Sequence, residues 1–262
     1  MEHTIKSSPQ LRLRVFAGPN GSGKSTLNKV VRETTVNNRK IDVGIYINAD
    51  DIAVLLRIGS FSFSLYGFQF PKKDIIEFAL NSGLLSPEFE ITKLKRSFKI
   101  QGSRIVLIRK RHLERLAQII ARFLREKLLE AKKRFSFETV FSHESNLDIM
   151  RRAADQGYKV YFYFVSTESP RINEYRVALR VNENGHGVPL NKIESRYYRS
   201  MELVRQASAI AYQAYFFDNS VVNESIKLVG HFKRFSGVPF WDEIDEEDVS
   251  QWFYKYCADS PQ

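Results

Sequence analysis

Eight residues near the start constrain this chain more than anything else in it: Gly18-Pro19-Asn20-Gly21-Ser22-Gly23-Lys24-Ser25. They fit G-x-x-x-x-G-K-[ST] at every fixed position. A short strand is expected just before them, over Leu11–Phe16, and a helix from Ser25 to Arg32 just after. That order is what the loop's chemistry requires. Glycines let successive backbone N–H groups turn inward onto phosphate oxygens. The helix N-terminus adds the positive end of its dipole. Lys24 is expected to reach the β- and γ-phosphates, and Ser25 to offer its hydroxyl to Mg²⁺, with Thr26 beside it. The string implies nucleotide binding, with ATP and Mg²⁺ as the expected ligands. It does not say what becomes of the γ-phosphate.

The rest of the 262 residues alternates strand and helix patterns. Further strands are expected at Val43–Ile47, Phe135–Phe141, Lys159–Val165, Ala214–Phe217 and Ile226–Val229. They are short, mostly apolar runs, as strands covered on both faces should be. Between them, Leu113, Leu116, Ile120, Phe123, Leu124 and Leu128 recur at helical spacing. Leu147–Asp155, Pro170–Val181 and Asn191–Ala209 are further helix candidates. The alternation predicts an α/β fold of P-loop NTPase type, three layers around a mainly parallel sheet with right-handed crossovers. One domain is expected over 1–262. Residues 57–102 break the rhythm and read as an insertion after the second strand, and 231–262 read as a C-terminal appendage.

Composition narrows the classes. No apolar run approaches the roughly 18 residues of a membrane helix, and Met1–Gln10 has no apolar signal core. The single cysteine, Cys257, excludes an internal disulfide framework and a Cys-based zinc site. A reducing cytoplasm is the expected compartment. The net charge of +10 is concentrated: residues 93–134 hold 15 Lys and Arg against 3 Asp and Glu. One basic segment points less to general nucleic-acid binding than a distributed basic surface does.

The type of P-loop protein follows from what is missing and what sits at strand ends. There is no L-S-G-G-Q string, and the nearest match to N-K-x-D, Asn191-Lys192-Ile193-Glu194, ends in the wrong acid within a helical pattern. Acids do close three expected strands: Asp50 with Asp51, Glu138, and Asp218. Ligands of such sheets bind beyond the carboxyl ends of the strands. Asp50 suits a base that takes a proton from an acceptor hydroxyl; its competing role is a helix N-cap. Glu138 suits Mg²⁺ held through water, or the edge of the sheet. Asp218-Asn219-Ser220 suits a turn near the adenine. Arg176, Arg180, His186, Lys192, Arg196 and Arg199 flank the turn-rich stretch Asn182–Pro189. Helix, glycine loop, helix over 176–199 reads as a closing lid that brings cations to the phosphates.

Ala17–Thr26, Tyr46–Ala53 (Y-I-N-A-D-D-I-A), Ser136–Ser142 (S-F-E-T-V-F-S) and Arg180–Pro189, in this order and spacing, resemble the zeta toxin family, in particular its chromosomal branch of ATPases or N-acetylglucosamine kinases. The resemblance spans 11–56 and 103–230. It implies a P-loop kinase fold that uses ATP and Mg²⁺. It implies a nucleotide sugar, UDP-N-acetylglucosamine, as acceptor through its 3′-hydroxyl, and a small helical antitoxin as partner. By position, Lys24 and Ser25 then hold phosphate and metal, and Asp50 matches the catalytic base. Glu138 matches an acid of the substrate and metal region, with Thr139 beside it, and Arg176 a lid arginine on the γ-phosphate. His186 stands near where the toxins carry a second lid arginine, which would leave that charge to Arg180. Their E-G-T is Glu138-Thr139-Val140 here.

Other strings have plainer readings. Ser142-His143-Glu144 could suggest a hydrolase triad, but neighbours in sequence rarely converge in that geometry; capping of a helix from Asn146 by Ser142 or Ser145 is expected instead. Five His without H-x-x-x-H spacing leave no metal site beyond Mg²⁺. Gly59–Phe70, aromatic with Ser and Gly interleaved, reads as a packing flap or an interface rather than a nucleobase platform. Two further functions stay open: a nucleic-acid kinase or NTPase using a basic helix at 109–134, and a nucleotide-gated binding protein without transfer chemistry.

Overall fold

A computed structural model of the chain describes residues 10–182, 189–222, 224–245, 247 and 249–257. The chain divides into two compact units, 1–44 with 136–262, and 45–135. The first opens with β1 (Arg12–Ala17), buried almost throughout. Arg14, charged, is only 7% exposed within it. It is tolerated because its guanidinium is satisfied: Nη1 donates to the Tyr163 hydroxyl at 2.9 Å, Nε donates to the Asp42 carbonyl at 3.1 Å, and the plane lies 4.2 Å from the Tyr161 ring centre. α1 (Lys24–Glu33) follows the glycine loop and packs Leu27 and Val31 against Phe16, Val43, Tyr163 and Val165. β2 (Thr35–Val36) and β3 (Arg39–Lys40) form a small hairpin whose turn residues, Asn37 and Asn38, both take positive φ.

The second unit runs from β4 (Ile45–Ile47) through α2 (Ala49–Ile58), β5 (Ser60–Ser62), α3 (Lys72–Asn81), α4 (Ile91–Lys95), β6 (Phe98–Gln101) and β7 (Arg104–Leu107) to α5 (Leu113–Glu130). A 3-10 turn at Phe63–Tyr66 and another at Lys110–His112 complete it. α2 packs along α5. β5, β7 and β6 form a three-stranded antiparallel sheet in that order. The expected insertion, 57–102, supplies two of these strands and lies wholly inside this unit. Gly59–Phe70 is a packing element, as its pattern suggested: Phe61 and Phe63 are fully buried, and Phe63 and Phe70 meet Phe123 of α5 edge-on at 6.3 and 4.7 Å between ring centres.

The chain returns to the first unit through β8 (Phe135–Thr139), α6 (Ser145–Asp155), β9 (Lys159–Ser166), α7 (Pro170–Asn182), α8 (Leu190–Ile210) and β10 (Gln213–Asp218). β11 (Lys227–Phe235), β12 (Val238–Trp241) and α9 (Gln251–Tyr256) end it. Its strands lie in the order β12-β11-β10-β9-β1-β8. β9 pairs in parallel with both β1 and β10, the expected core of a parallel sheet. The far side departs from that: β11 and β12 add as an antiparallel meander, with no crossover helix between them. The segment expected as an appendage thus extends the sheet, and α9 packs Trp252 on Phe164 and Phe253 on Phe216. Tyr163 and Val165 face α1 while Phe164 faces α9, so β9 is covered on both faces by helices, as its unbroken apolar run predicted. Among the described residues no helix is long and apolar enough to cross a membrane.

Candidate functional site

The glycine loop joins β1 to α1 at the carboxyl end of β1. Two of its glycines have no room for a side chain. A Cβ on Gly18 would lie 2.1 Å from the Val165 carbonyl oxygen, and one on Gly23 would lie 2.4 Å from Asn219 Nδ2. Gly23 also takes φ of +100°, where an L side chain is strained. It stands at the N-cap of α1 and brings no side chain to its first-turn N–H groups. A helix N-terminus of this kind, with the positive end of its dipole at the loop, favours an anion.

Lys24 is buried, and its Nζ donates to the Pro19 carbonyl at 2.8 Å, which holds the ammonium over the loop. Ser25 is exposed, and its Oγ lies 3.0 and 3.1 Å from the two carboxylate oxygens of Glu138 at the end of β8. A hydroxyl and a carboxylate thus converge at the first turn of α1. These are hard oxygen donors of the kind Mg²⁺ takes, and Mg²⁺ commonly uses only one or two protein ligands beside phosphate and water. Among the described residues there is no group of three or more His, Cys, Asp or Glu that could hold a metal. Four buried polar atoms around the loop also lack a protein partner: Asn20 Oδ1, Ser22 Oγ, Asn28 Nδ2 and Asn173 Nδ2.

The loop is braced from the far strands. Asn219 Nδ2 donates to the Ser22 carbonyl at 2.8 Å, and the Asn219 N–H donates to the Ser166 carbonyl at 2.9 Å. Asp218 closes a tight turn by accepting from the Ser220 N–H at 2.8 Å and from its hydroxyl at 2.9 Å. Trp252 Nε1 also donates to Asp218, at 2.7 Å. The expectation of a turn at Asp218-Asn219-Ser220 holds, and the structure adds its contact with the loop. Arg176, the expected lid arginine, donates to the carbonyls of Asn219 and Val221 and so ties α7 to the same turn. Burial lowers its pKa, with the Asp218 charge opposing the shift. Arg180 is exposed on the last turn of α7. Residues 183–188 lie outside the described residues, and His186 with them.

Asp50 belongs to the second unit. It is exposed in the first turn of α2 and does not cap the helix; Asn48 does, its Oδ1 accepting from the Asp50 N–H at 2.9 Å. The cap reading of Asp50 is thereby replaced. Thr139 accepts from the Phe141 N–H at 3.1 Å and bonds the Asn146 amide at 3.2 Å. The expected serine cap of α6 is also corrected. The helix starts at Ser145, and His143 Nδ1 accepts from the Ser145 N–H at 3.2 Å. A ring nitrogen two residues upstream reaches that donor, a role for which the sequence offers no familiar signature.

Asn173 was missed by sequence reasoning. It is fully buried, accepts from the Thr167 hydroxyl, and its backbone carbonyl oxygen lies 2.7 Å from where a Gly21 Cβ would stand. Pro170 marks the start of α7, but nothing in the string shows which residue of the first turns meets the loop. Trp252, some 230 residues from the loop in sequence, had no signal either.

No protein-family model matches the chain, and no curated protein matches its sequence. Solved structures do resemble it. A chain of the native AvrRxo1-ORF1:-ORF2 complex is 14% identical, with a TM-score of 0.50 over 93% of this chain and 65% of that one. A chain of the same complex with ATP is 14% identical, with a TM-score of 0.47 over 86% of this chain and 59% of that one. A chain of the PezAT chromosomal toxin-antitoxin system of Streptococcus pneumoniae is 15% identical, with a TM-score of 0.48 over 82% and 70%. The chain thus spans less than two thirds of the AvrRxo1 chains it resembles. The likeness to the native complex shows the fold, a mixed α/β fold around a mostly parallel central sheet.

Proposed function

We propose that this chain is an ATP- and Mg²⁺-dependent kinase that moves the γ-phosphate to a hydroxyl of a nucleotide sugar such as UDP-N-acetylglucosamine. The observation that carries the kinase reading is the paired Ser25 hydroxyl and Glu138 carboxylate, at 3.0 and 3.1 Å, on a glycine loop with no room for side chains. A bound Mg²⁺ supplies charge neutralisation at the β- and γ-phosphate oxygens. Ser25 and Glu138 would hold it. Lys24 and the first-turn N–H groups of α1 take the phosphate charge. Asp50 is assigned the proton of the acceptor hydroxyl as the new O–P bond forms and ADP leaves; its exposure and its freedom from capping support that assignment. Arg176, Arg180 and His186 are assigned the remaining charge of the transferred group. A helical antitoxin that covers the nucleotide loop is the partner this reading allows.

The test is transfer of label from γ-labelled ATP. Wild-type protein and Asp50→Asn are incubated with Mg²⁺ and UDP-N-acetylglucosamine, and in parallel with a pooled metabolite extract. Label on the sugar nucleotide, absent in the variant, supports the whole reading. Label in the extract alone keeps the kinase and replaces the acceptor. ATP binding with no transfer to any pool replaces the kinase with a nucleotide-gated binding protein.

A further inference from the structure

Only part of the cationic surface of the second unit lies on its long helix, where Arg115 is exposed and Arg122 half-buried. Within α5, Arg125 is buried and Lys127 pairs with Glu130 at 2.8 Å. More of the charge lies just upstream. Between Ile91 and Leu113 the chain carries eight Lys and Arg and no Asp or Glu. The fold gathers them. Strand register puts Lys99, Gln101, Arg104 and Val106 on one face of the antiparallel sheet, beside Ser60 and Ser62 of β5. The opposite face carries Phe61, Phe98 and Ile105, all fully buried. Lys99, Gln101 and Arg104 are exposed, as are Arg109, Lys110 and Arg111 directly after β7.

Three cations of this stretch act on one neighbour. His112 is buried, and burial first, then the charges of Arg111, Arg109 and Lys93, lower its pKa. Among the described residues, Lys99, Arg104, Arg109 and Arg111 form no ion pair with a carboxylate. Arg104 reaches the Ser60 hydroxyl at 3.5 Å, and Arg111 the His112 ring at 3.2 Å. Uncompensated like charge at this density opposes folding, and a polyanion relieves it.

We propose that this sheet face and the turn after it bind the phosphodiester backbone of a nucleic acid. Lys and Arg interleaved with hydroxyls and an amide are the groups that contact phosphate oxygens and sugars. An anionic lipid surface would call for a set of apolar side chains to insert, whereas the sheet face and turn offer half-buried Val106 and the single exposed Ile108 among six Lys, Arg and Gln. The inference stands apart from the kinase reading, since it uses none of the residues assigned there.

The experiment measures fluorescence anisotropy of a labelled uridine oligonucleotide of about 16 nucleotides with the full chain, at salt from about 50 to about 200 mM. The variant is Lys99→Gln/Arg104→Gln/Arg109→Gln. Its control is Arg151→Gln/Arg205→Gln/Lys233→Gln, three cations of the other unit. Wild type is expected to bind with a salt-dependent affinity. The first variant should lower the log–log salt slope by about 2, from roughly 0.7 per lost phosphate contact, and weaken binding roughly 10- to 100-fold at about 0.1 M salt. The control should change neither. Arg104→Lys, which keeps the charge, should keep the slope and guards against a folding defect in the triple variant. Absence of binding at low salt overturns the proposal, as does equal weakening by the control. Binding to phosphatidylserine vesicles without binding to RNA overturns it too, and assigns the face to a membrane.

Discussion

Lys24, Ser25 and Glu138 carry the sharpest expectations at the scale of single residues. Lys24→Ala should abolish transfer, with a loss on the order of 10²–10³ in kcat if turnover remains measurable, because it removes a fixed charge at the developing anion. Asp50→Asn should leave the ATP Kd within about twofold and lower kcat on the order of 10²–10⁴, the usual worth of a positioned base. Near wild-type turnover would remove Asp50 from the reaction. Cys257 gives a test of packing. It is 8% exposed, and burial pushes its thiol well up, with Arg205 opposing weakly. The thiolate is the reactive form, so the native protein should not react with a disulfide reagent at pH 8, and one thiol should appear on unfolding in urea. Prompt labelling of folded protein would show that α9 is not seated on the sheet.

For whole elements, the second unit's core depends on one helix residue. Phe123 of α5 meets Phe63, Phe70 and Phe78 edge-on and is 1% exposed. Phe123→Ala should cost about 3–5 kcal/mol in urea unfolding, from lost burial and the cavity left behind. A loss under about 1 kcal/mol would mean that the cluster closes around the gap. Helix positions were legible because 3.6-residue periodicity is local: α5, α6, α7 and α8 each fall within a few residues of the expected ranges. Their caps were less so. Asn48 caps α2 where Asp50 was a candidate, and the first N–H of α6 goes to the His143 ring where a serine cap was expected; the choice depends on which side chain the turn aims at that N–H. The strands of 57–102 were illegible for a related reason. β5 pairs with β7 across more than 40 residues, and nothing within Ser60–Ser62 names that partner.

For the molecule as a whole, ligand binding should report on the first unit through stability. Mg·ATP at about 100 times its Kd adds about 2.7 kcal/mol to the folded state, which should raise Tm by roughly 5–10 °C for a chain of this size. Glu138→Gln should need more Mg²⁺ for the same shift, and Lys24→Ala should show little. A full shift with ATP in the presence of a chelator would remove the metal role from Ser25 and Glu138. The division into 1–44 with 136–262 and 45–135 was not legible, because it is set by which segments pack; the end of the basic stretch at Arg134 coincides with one boundary, and nothing in the sequence marks the other.

The sequence by itself determined the glycine loop, the alternation around it and the acids at three strand ends, because each is written within a few neighbouring residues. Backbone freedom, helix dipole and apolar periodicity act over that same range. Only the tertiary structure decided which distant groups meet the loop. It brought Asn219 and Asn173 against the glycines, Glu138 against Ser25, and Trp252 against Asp218. It also turned Arg176 toward two carbonyls and buried Arg14 within β1. These are contacts between segments far apart in the chain, and their partners are chosen by sheet order and packing, which no local pattern encodes.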